Sequence, residues 1–261
     1  MNTEAEIKQP KNSWKPEGHS VVASVKNLKK SFGEQKVLDG VSLDLYESEN
    51  LVILGRSGTG KSVLIKCMVG LIRPDEGEVT ILEYDVNTLT PDKLNEMRQL
   101  VGFSFQSSAL YDSMTVRDNL AFPLKRNLKM YDRKEQDELI VTALQDVGLE
   151  NTIGKMPAEL SGGMKKRIGI ARTLILKPKI MLYDEPTAGL DPITSTEINE
   201  LILKVREKYK TSSIIITHDI SCARHTSDRV IALVGGHNKP EKTFQELEHT
   251  DDPDLAPFFK Y

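Results

Sequence analysis

The densest chemistry in the chain is one run of eight residues, Gly55-Arg56-Ser57-Gly58-Thr59-Gly60-Lys61-Ser62, with Val63 beginning the apolar stretch that follows. Glycines let a chain curl until successive backbone N–H groups face inward. The start of a helix adds further unpaired N–H donors and a positive dipole end, so the two together make a concave anion site. Lys61 contributes a point charge suited to the β- and γ-phosphates of a nucleotide. Ser62 offers a hydroxyl to Mg²⁺, a cation that prefers hard oxygen ligands. A second cluster follows at Asp184 and Glu185, two carboxylates at the end of the apolar run Ile180-Met181-Leu182-Tyr183. Asp184 can hold the shell of a magnesium ion, and Glu185 can polarise an attacking water. Read alone, the same two acids could simply end a strand in a polar turn.

Such groups need elements to hold them. Leu51–Leu54, Ile180–Tyr183 and Ile214–Ile216 are short, wholly apolar runs, and Arg229–Val234 is a further candidate. Runs of this kind suit central strands of a parallel sheet covered on both faces, and ligands bind at the C-terminal ends of such strands. Val21, Ala23 and Val25 alternate with polar positions, as do Val41, Leu43 and Leu45. These predict two half-buried strands joined by a turn at Gly33 and Glu34. Residues from about Ser107 to Lys177 change rhythm. Asp132 and Glu135 have capping-box spacing, Leu139, Ile140, Ala143, Leu144 and Val147 recur at helical intervals, and Gly148 is placed to end the helix. The expected organisation is a flexible tail over residues 1–20, with Trp14 as its one possible anchor, a core over 21–234 carrying a helical insertion at about 107–177, and a C-terminal extension over 235–261.

Composition sets bounds. The chain has 261 residues, is 39% hydrophobic and 28% charged, and has a formal net charge of −3. That balance argues against a general nucleic-acid coat, which needs a basic surplus. Cys67 and Cys222 are too few for a disulfide framework and predict two reduced, buried thiols. No stretch approaches the length of a bilayer span, and the N-terminus lacks an apolar signal region, so a cytoplasmic protein is expected.

The run Leu160-Ser161-Gly162-Gly163-Met164, ahead of the acidic strand, narrows the class. It resembles the signature sequence of the ATP-binding cassette (ABC) ATPases, and other elements of that family follow in order. Phe32 matches the aromatic that stacks on adenine. Gln106 matches the Q-loop glutamine, which contacts Mg²⁺ and the nucleophilic water. Ala188-Gly189-Leu190-Asp191 matches the D-loop, and His218 matches the switch histidine near the γ-phosphate. The resemblance implies an α/β P-loop fold with a RecA-like mixed-sheet core, an antiparallel β subdomain and a helical insertion. It also implies a head-to-tail homodimer holding two ATP molecules and Mg²⁺. The nucleotide would lie against Phe32, Gly55 to Val63 of one protomer, and Ser161, Gly162, Gly163 and Asp191 of the signature and D-loop. Glu185, His218, Lys61 and Gln106 would act in catalysis, and Ser62, Gln106 and Asp184 would serve the metal.

What the ATPase drives is a separate matter. A transporter motor, a protein acting on DNA or ribosomes, and a nucleotide-dependent regulator compete. One cassette without coiled-coil arms or a cysteine cluster favours the motor, with no nucleic-acid partner. In this reading Lys165-Lys166-Arg167 is only a polar helix start. The segment Phe105 to Leu124 resembles that of Mla-type ATPases, which power lipid movement between bacterial membranes. This resemblance implies an integral-membrane permease, a lipid-binding substrate-binding protein, and a peripheral position on the cytoplasmic face of the inner membrane. Tyr111, Met114, Phe122 and Leu124 either offer apolar surface to that permease or pack the insertion. At the C-terminus, Thr243 to Leu247 resembles a helix start, and Leu255, Phe258 and Phe259 could dock on the core or on a neighbour.

Overall fold

A computed structural model describes residues 17–259. Trp14 and most of the expected tail lie outside the described residues. The chain opens on β1 (Val21–Phe32) and β2 (Gln35–Tyr46), then β3 (Asn50–Leu54) and α1 (Lys61–Met68). β4 (Glu76–Ile81), β5 (Tyr84–Asp85), α2 (Pro91–Gln99) and β6 (Val101–Ser104) follow. The insertion holds α3 (Val116–Asn127), α4 (Arg133–Asp146) and α5 (Gly162–Leu174). The core resumes with β7 (Ile180–Asp184), α6 (Pro192–Tyr209), β8 (Ser212–Thr217), α7 (Ile220–Thr226) and β9 (Arg229–Val234). β10 (His237–Asn238), α8 (Phe244–Glu248) and α9 (Ala256–Phe259) complete it.

The main sheet runs β10-β9-β3-β8-β7-β6, and a second sheet runs β2-β1-β4-β5. In the main sheet β9, β3, β8, β7 and β6 are parallel and β10 is antiparallel, whereas every pairing of the second sheet is antiparallel. The continuous apolar runs follow from burial on both faces. In β3, Val52 and Leu54 enter the core on the helical side, while Leu51 and Ile53 enter the core shared with the antiparallel sheet. β7 divides the same way, with Met181 and Tyr183 on one face and Ile180 and Leu182 on the other.

A buried ion pair joins the two sheets. Glu49 is fully buried and accepts from Arg229 Nε at 2.5 Å, and Arg229 also donates to the Asp44 carbonyl. In the insertion, the Asp132 carboxylate accepts from the Glu135 N–H and starts α4, and Gly148, just beyond the C-cap, has φ +68°. Leu124 is fully buried among the helices, so it packs the insertion and offers no surface. Burial pushes the thiols of Cys67 up to about 11 and Cys222 to about 12, which keeps both protonated at neutral pH.

Candidate nucleotide-hydrolysis site

β3 ends at Leu54, and the glycine loop turns directly into α1. Gly60, the N-cap of α1, sits at φ +98°, and a Cβ there would meet the Val37 carbonyl at 2.8 Å. Gly58 also has positive φ, at +82°. These positions need glycine because a side chain would either strain the backbone or strike β2. The loop is therefore held tightly while its N–H groups remain at a helix start.

Lys61 is 5% exposed. Its ammonium donates to the Gly55 carbonyl at 2.7 Å and the Arg56 carbonyl at 3.1 Å, and pairs with Glu185 Oε1 at 3.3 Å. The Ser62 hydroxyl donates to Asp184 Oδ1 at 3.0 Å. Burial raises the pKa of Asp184, opposed by the Ser62 hydrogen bond. Glu185 is a non-glycine residue at φ +48°, and its N–H donates to the Ile216 carbonyl. Its Oε2 lies 2.8 Å from His218 Nδ1 and also accepts from the His218 backbone N–H at 3.2 Å. A carboxylate only accepts, so Nδ1 carries the proton in that contact and Nε2 is left for another partner. Parallel pairing brings the ends of β3, β8 and β7 side by side, and this gathers Lys61, Ser62, Asp184, Glu185 and His218.

Other expected residues lie in different settings. Phe32 ends β1 half exposed, with the Lys30 ammonium 5.4 Å from its ring centroid. Gln106 is exposed, and its carbonyl accepts from Lys166. Ser161 caps α5 by accepting from the Met164 N–H at 3.3 Å, so its hydrogen bond stays within its own helix. A Cβ at Gly163 would strike Thr194 Cγ2 at 2.4 Å. Asp191 caps α6, accepting from the Ile193 and Thr194 N–H groups at 3.0 Å and from the Thr194 hydroxyl at 2.6 Å.

The basic run was expected only as a polar helix start, and the C-terminal aromatics were expected to dock on the core or on a neighbour without a partner being named. The basic run after the signature splits. Lys166 is buried and donates to the carbonyls of Gln106 and Glu185, while Arg167 turns to Glu197. At the C-terminus, Phe258 lies against Arg56 of the glycine loop, with the guanidinium 5.7 Å from the ring centroid. Phe259 packs edge-on against Phe244. Charge runs give no facing by themselves. The one available signal was helical spacing, which sets Lys166 and Gly169 on neighbouring turns.

A glycine cradle with a buried lysine, facing two carboxylates and a histidine across parallel strand ends, defines a P-loop nucleotide hydrolase. The comparisons narrow the class. Residues 38–188 match the family model described as ABC transporter. The chain is 39% identical over 238 residues to the Mycobacterium leprae "Probable ribonucleotide transport ATP-binding protein mkl", covering 91% of this chain and 68% of that protein. It is 39% identical over 233 residues to the Arabidopsis thaliana "Protein TRIGALACTOSYLDIACYLGLYCEROL 3, chloroplastic", covering 83% and 67%. Identity to the methionine import ATP-binding protein MetN of Clostridium tetani is 40% over 212 residues, covering 81% and 66%. Among solved structures, the dimeric ATP-binding cassette MJ0796, in a post-hydrolysis state with ADP and Pi, has a TM-score of 0.77 and 33% identity. It covers 85% of this chain and 98% of its own. CbiO1 from Clostridium perfringens, part of the transporter complex cbiONQ, has a TM-score of 0.80 and 26% identity, covering 91% and 93%. The chain belongs to the ABC transporter family and is an ATPase of the P-loop fold.

Proposed function

We propose that this chain is the ATP-hydrolysing motor of a membrane transporter, works as a head-to-tail homodimer with a separate permease, and serves the movement of phospholipid or another lipid. In this reading it sits on the cytoplasmic face of the inner membrane. No helix among the described residues is long and apolar enough to cross a membrane, and in this reading the membrane path belongs to the permease.

The observation that carries the permease reading is an open cleft of about 300 Å³ beside the insertion. Phe103, Phe105, Tyr111, Phe122, Pro123 and Leu176 are among its lining residues. Tyr111 is 44% exposed and packs against Phe122, with the rings tilted at 54° and their centroids 5.1 Å apart. The loop before α3 is fixed by buried Asn119. Its Oδ1 accepts from the Tyr111 N–H, and its Nδ2 donates to the Tyr111, Met114 and Thr115 carbonyls. A half-exposed aromatic on a rigid loop suits a helix end of a partner protein.

Lipid as cargo is supported by the resemblance of Phe105 to Leu124 to Mla-type ATPases, and by the plant relative, whose name is that of a galactolipid. A lipid-binding substrate-binding protein belongs to this reading. The similarity to MetN favours a second one, in which the motor serves a small-solute importer.

Within the site, Lys61 and the glycine-loop N–H groups hold phosphate oxygens, and incoming phosphate competes with Glu185 for the Lys61 ammonium. Glu185 then polarises water, with His218 Nδ1 steadying its carboxylate. Phe32 offers a ring face to the base. Ser161, Gly162 and Gly163 present a hydroxyl and N–H groups to the γ-phosphate held by the other protomer, with Asp191 nearby in the D-loop segment. The pair of Ser62 and Asp184, two hard oxygens 3.0 Å apart, fits Mg²⁺. Together with Gln106 they would hold the ion, which supplies positive charge to the phosphate oxygens.

A gentle detergent pull-down of the tagged chain from its own membranes tests the proposal, with bound proteins and extracted lipids identified by mass spectrometry. A stoichiometric permease, a lipid-binding partner and enriched phospholipid are expected. A permease with a solute-binding protein and no lipid moves the assignment to the importer. Ribosomal or DNA-repair partners without a membrane protein overturn the motor.

A further inference from the structure

Lys166 stands on α5, three residues past the second signature glycine, Gly163, and is 8% exposed. Its ammonium donates to the Gln106 carbonyl at 2.5 Å and to the Glu185 carbonyl at 3.0 Å. Burying an ammonium is costly unless its hydrogens are used. Here they join main-chain atoms 79 residues apart in sequence, on the stretch after β6 over residues 105–109 (the Q segment) and immediately after β7.

The contact is part of a longer seam. Gly169 lies one turn further along α5, where a Cβ would meet the Ser108 carbonyl oxygen at 3.2 Å, so the Q segment lies directly on the helix. Arg172, a turn further, donates to the Ala109 carbonyl at 2.8 Å and to the Ser108 carbonyl at 3.3 Å. Ser108 and Ala109 are held at φ +61° and +46°, and Glu185 at φ +48°. Side chains rarely tolerate this backbone region unless the surroundings impose it. Phe105, Ala109, Tyr111 and Arg172 also line the apolar cleft. The Gln106 and Glu185 backbones thus meet at one ammonium, and the cleft wall follows along the same stretch of chain and the same helix, at Phe105, Ala109 and Arg172.

We propose that Lys166 is a positioning residue for hydrolysis, tying the Glu185 backbone to the Q segment so that a shift of the cleft wall reaches the Glu185 carboxylate. The proposal rests on the assignment of Glu185 as the group that polarises water. Lys166 touches no reacting atom in this scheme. It acts through where Glu185 points, and a small misplacement of a catalytic group is expensive in rate.

The test measures steady-state and single-turnover MgATP hydrolysis by the full chain, together with fluorescent-ATP binding and thermal melting. The variants are Lys166→Met, Lys166→Gln, Glu185→Gln and the double variant Lys166→Met/Glu185→Gln. Lys166→Met is expected to lower kcat ~10²-fold while the ATP dissociation constant stays within ~3-fold. Lys166→Gln keeps two N–H donors at shorter reach and is expected to lose ~10-fold, and it carries the test where the Met variant does not fold. In the Glu185→Gln background, Lys166→Met should cost less than ~2-fold more, because its effect runs through the group already removed. A merely structural lysine would lower the melting temperature and reduce both backgrounds by the same factor, and that result overturns the proposal. Parent-like kcat in both Lys166 variants overturns it as well. Parent-rate hydrolysis by Glu185→Gln would instead remove the assignment of Glu185, a distinct failure.

Discussion

Two helices of this chain begin on glycine-rich loops, and they are finished differently. At the start of α1 the loop has its own cation and carboxylates within reach, with Lys61 pairing with Glu185 and Ser62 donating to Asp184. At the start of α5, Ser161 and Gly162 are exposed, and the Ser161 hydroxyl accepts from the Met164 N–H of its own helix. Both are helix starts, where unpaired N–H groups suit an anion. Only the first gathers, in one chain, the residue types that hold and hydrolyse a phosphate. The second is suited to complete a site whose charges come from elsewhere. This asymmetry supports two half-sites meeting across a head-to-tail dimer.

The sharpest way to break that comparison is to remove the acid from the first loop's site. Glu185→Gln is expected to cut turnover ~10³-fold, the range for losing a positioned acid–base group, while ATP binding is retained. Light scattering should then show an ATP-stabilised dimer, and brisk hydrolysis by this variant would contradict the role of Glu185. Next comes a mixing experiment. Lys61→Ala disables the first loop and Ser161→Arg the second, and each variant alone should be nearly inactive. If the two loops meet across chains, mixing them equally regenerates one intact site per heterodimer and recovers about a quarter of parent turnover. If each chain completes its own site, mixing recovers nothing.

Two smaller effects sharpen the contrast by showing what damage elsewhere looks like. Arg229→Met strands buried Glu49 without its partner and is expected to cost about 3–5 kcal/mol of stability, read by chemical denaturation. Its kcat below the melting transition should match the parent, since the pair lies outside both loops. Asp191→Ala removes the three hydrogen bonds that start α6 and is expected to cost about 1 kcal/mol, with Asp191→Asn recovering most of it. A loss well above that would mean Asp191 holds more than its own helix.

Much of this was legible along the chain. The apolar runs at Leu51, Ile180 and Ile214 predicted central parallel strands, because burial on both faces demands unbroken apolar sequence. The glycine loop was legible because its spacing has a steric cause, seen where Gly60 faces the Val37 carbonyl. Three elements between residues 76 and 104 gave no such signal. β4, Glu-Gly-Glu-Val-Thr-Ile, is mostly polar and contains a glycine, β6 has only four residues, and α2 buries Met97 alone. Leu124 looked like a candidate surface residue, but helix packing buries it, and no local pattern tells an inward leucine from an outward one on a helix that carries Pro123.

The sequence by itself determined the phosphate cradle and the paired acids, because each depends on residue type at a fixed local spacing, while the fold family and the histidine were read from the resemblance of ordered motifs to the ABC ATPases. Tertiary structure alone decided where the ambiguous charges went. Lys165, Lys166 and Arg167 are three adjacent cations, and only the crossing of α5 over the Q segment and the end of β7 sends the middle one inward to two carbonyls. The same holds for Phe258 on Arg56 and for Glu49 beneath Arg229, contacts that close over 202 and 180 residues of chain. Spacing along a chain fixes which groups share a local element. Which distant groups meet is fixed by packing, where buried polar atoms must find partners wherever the fold places them.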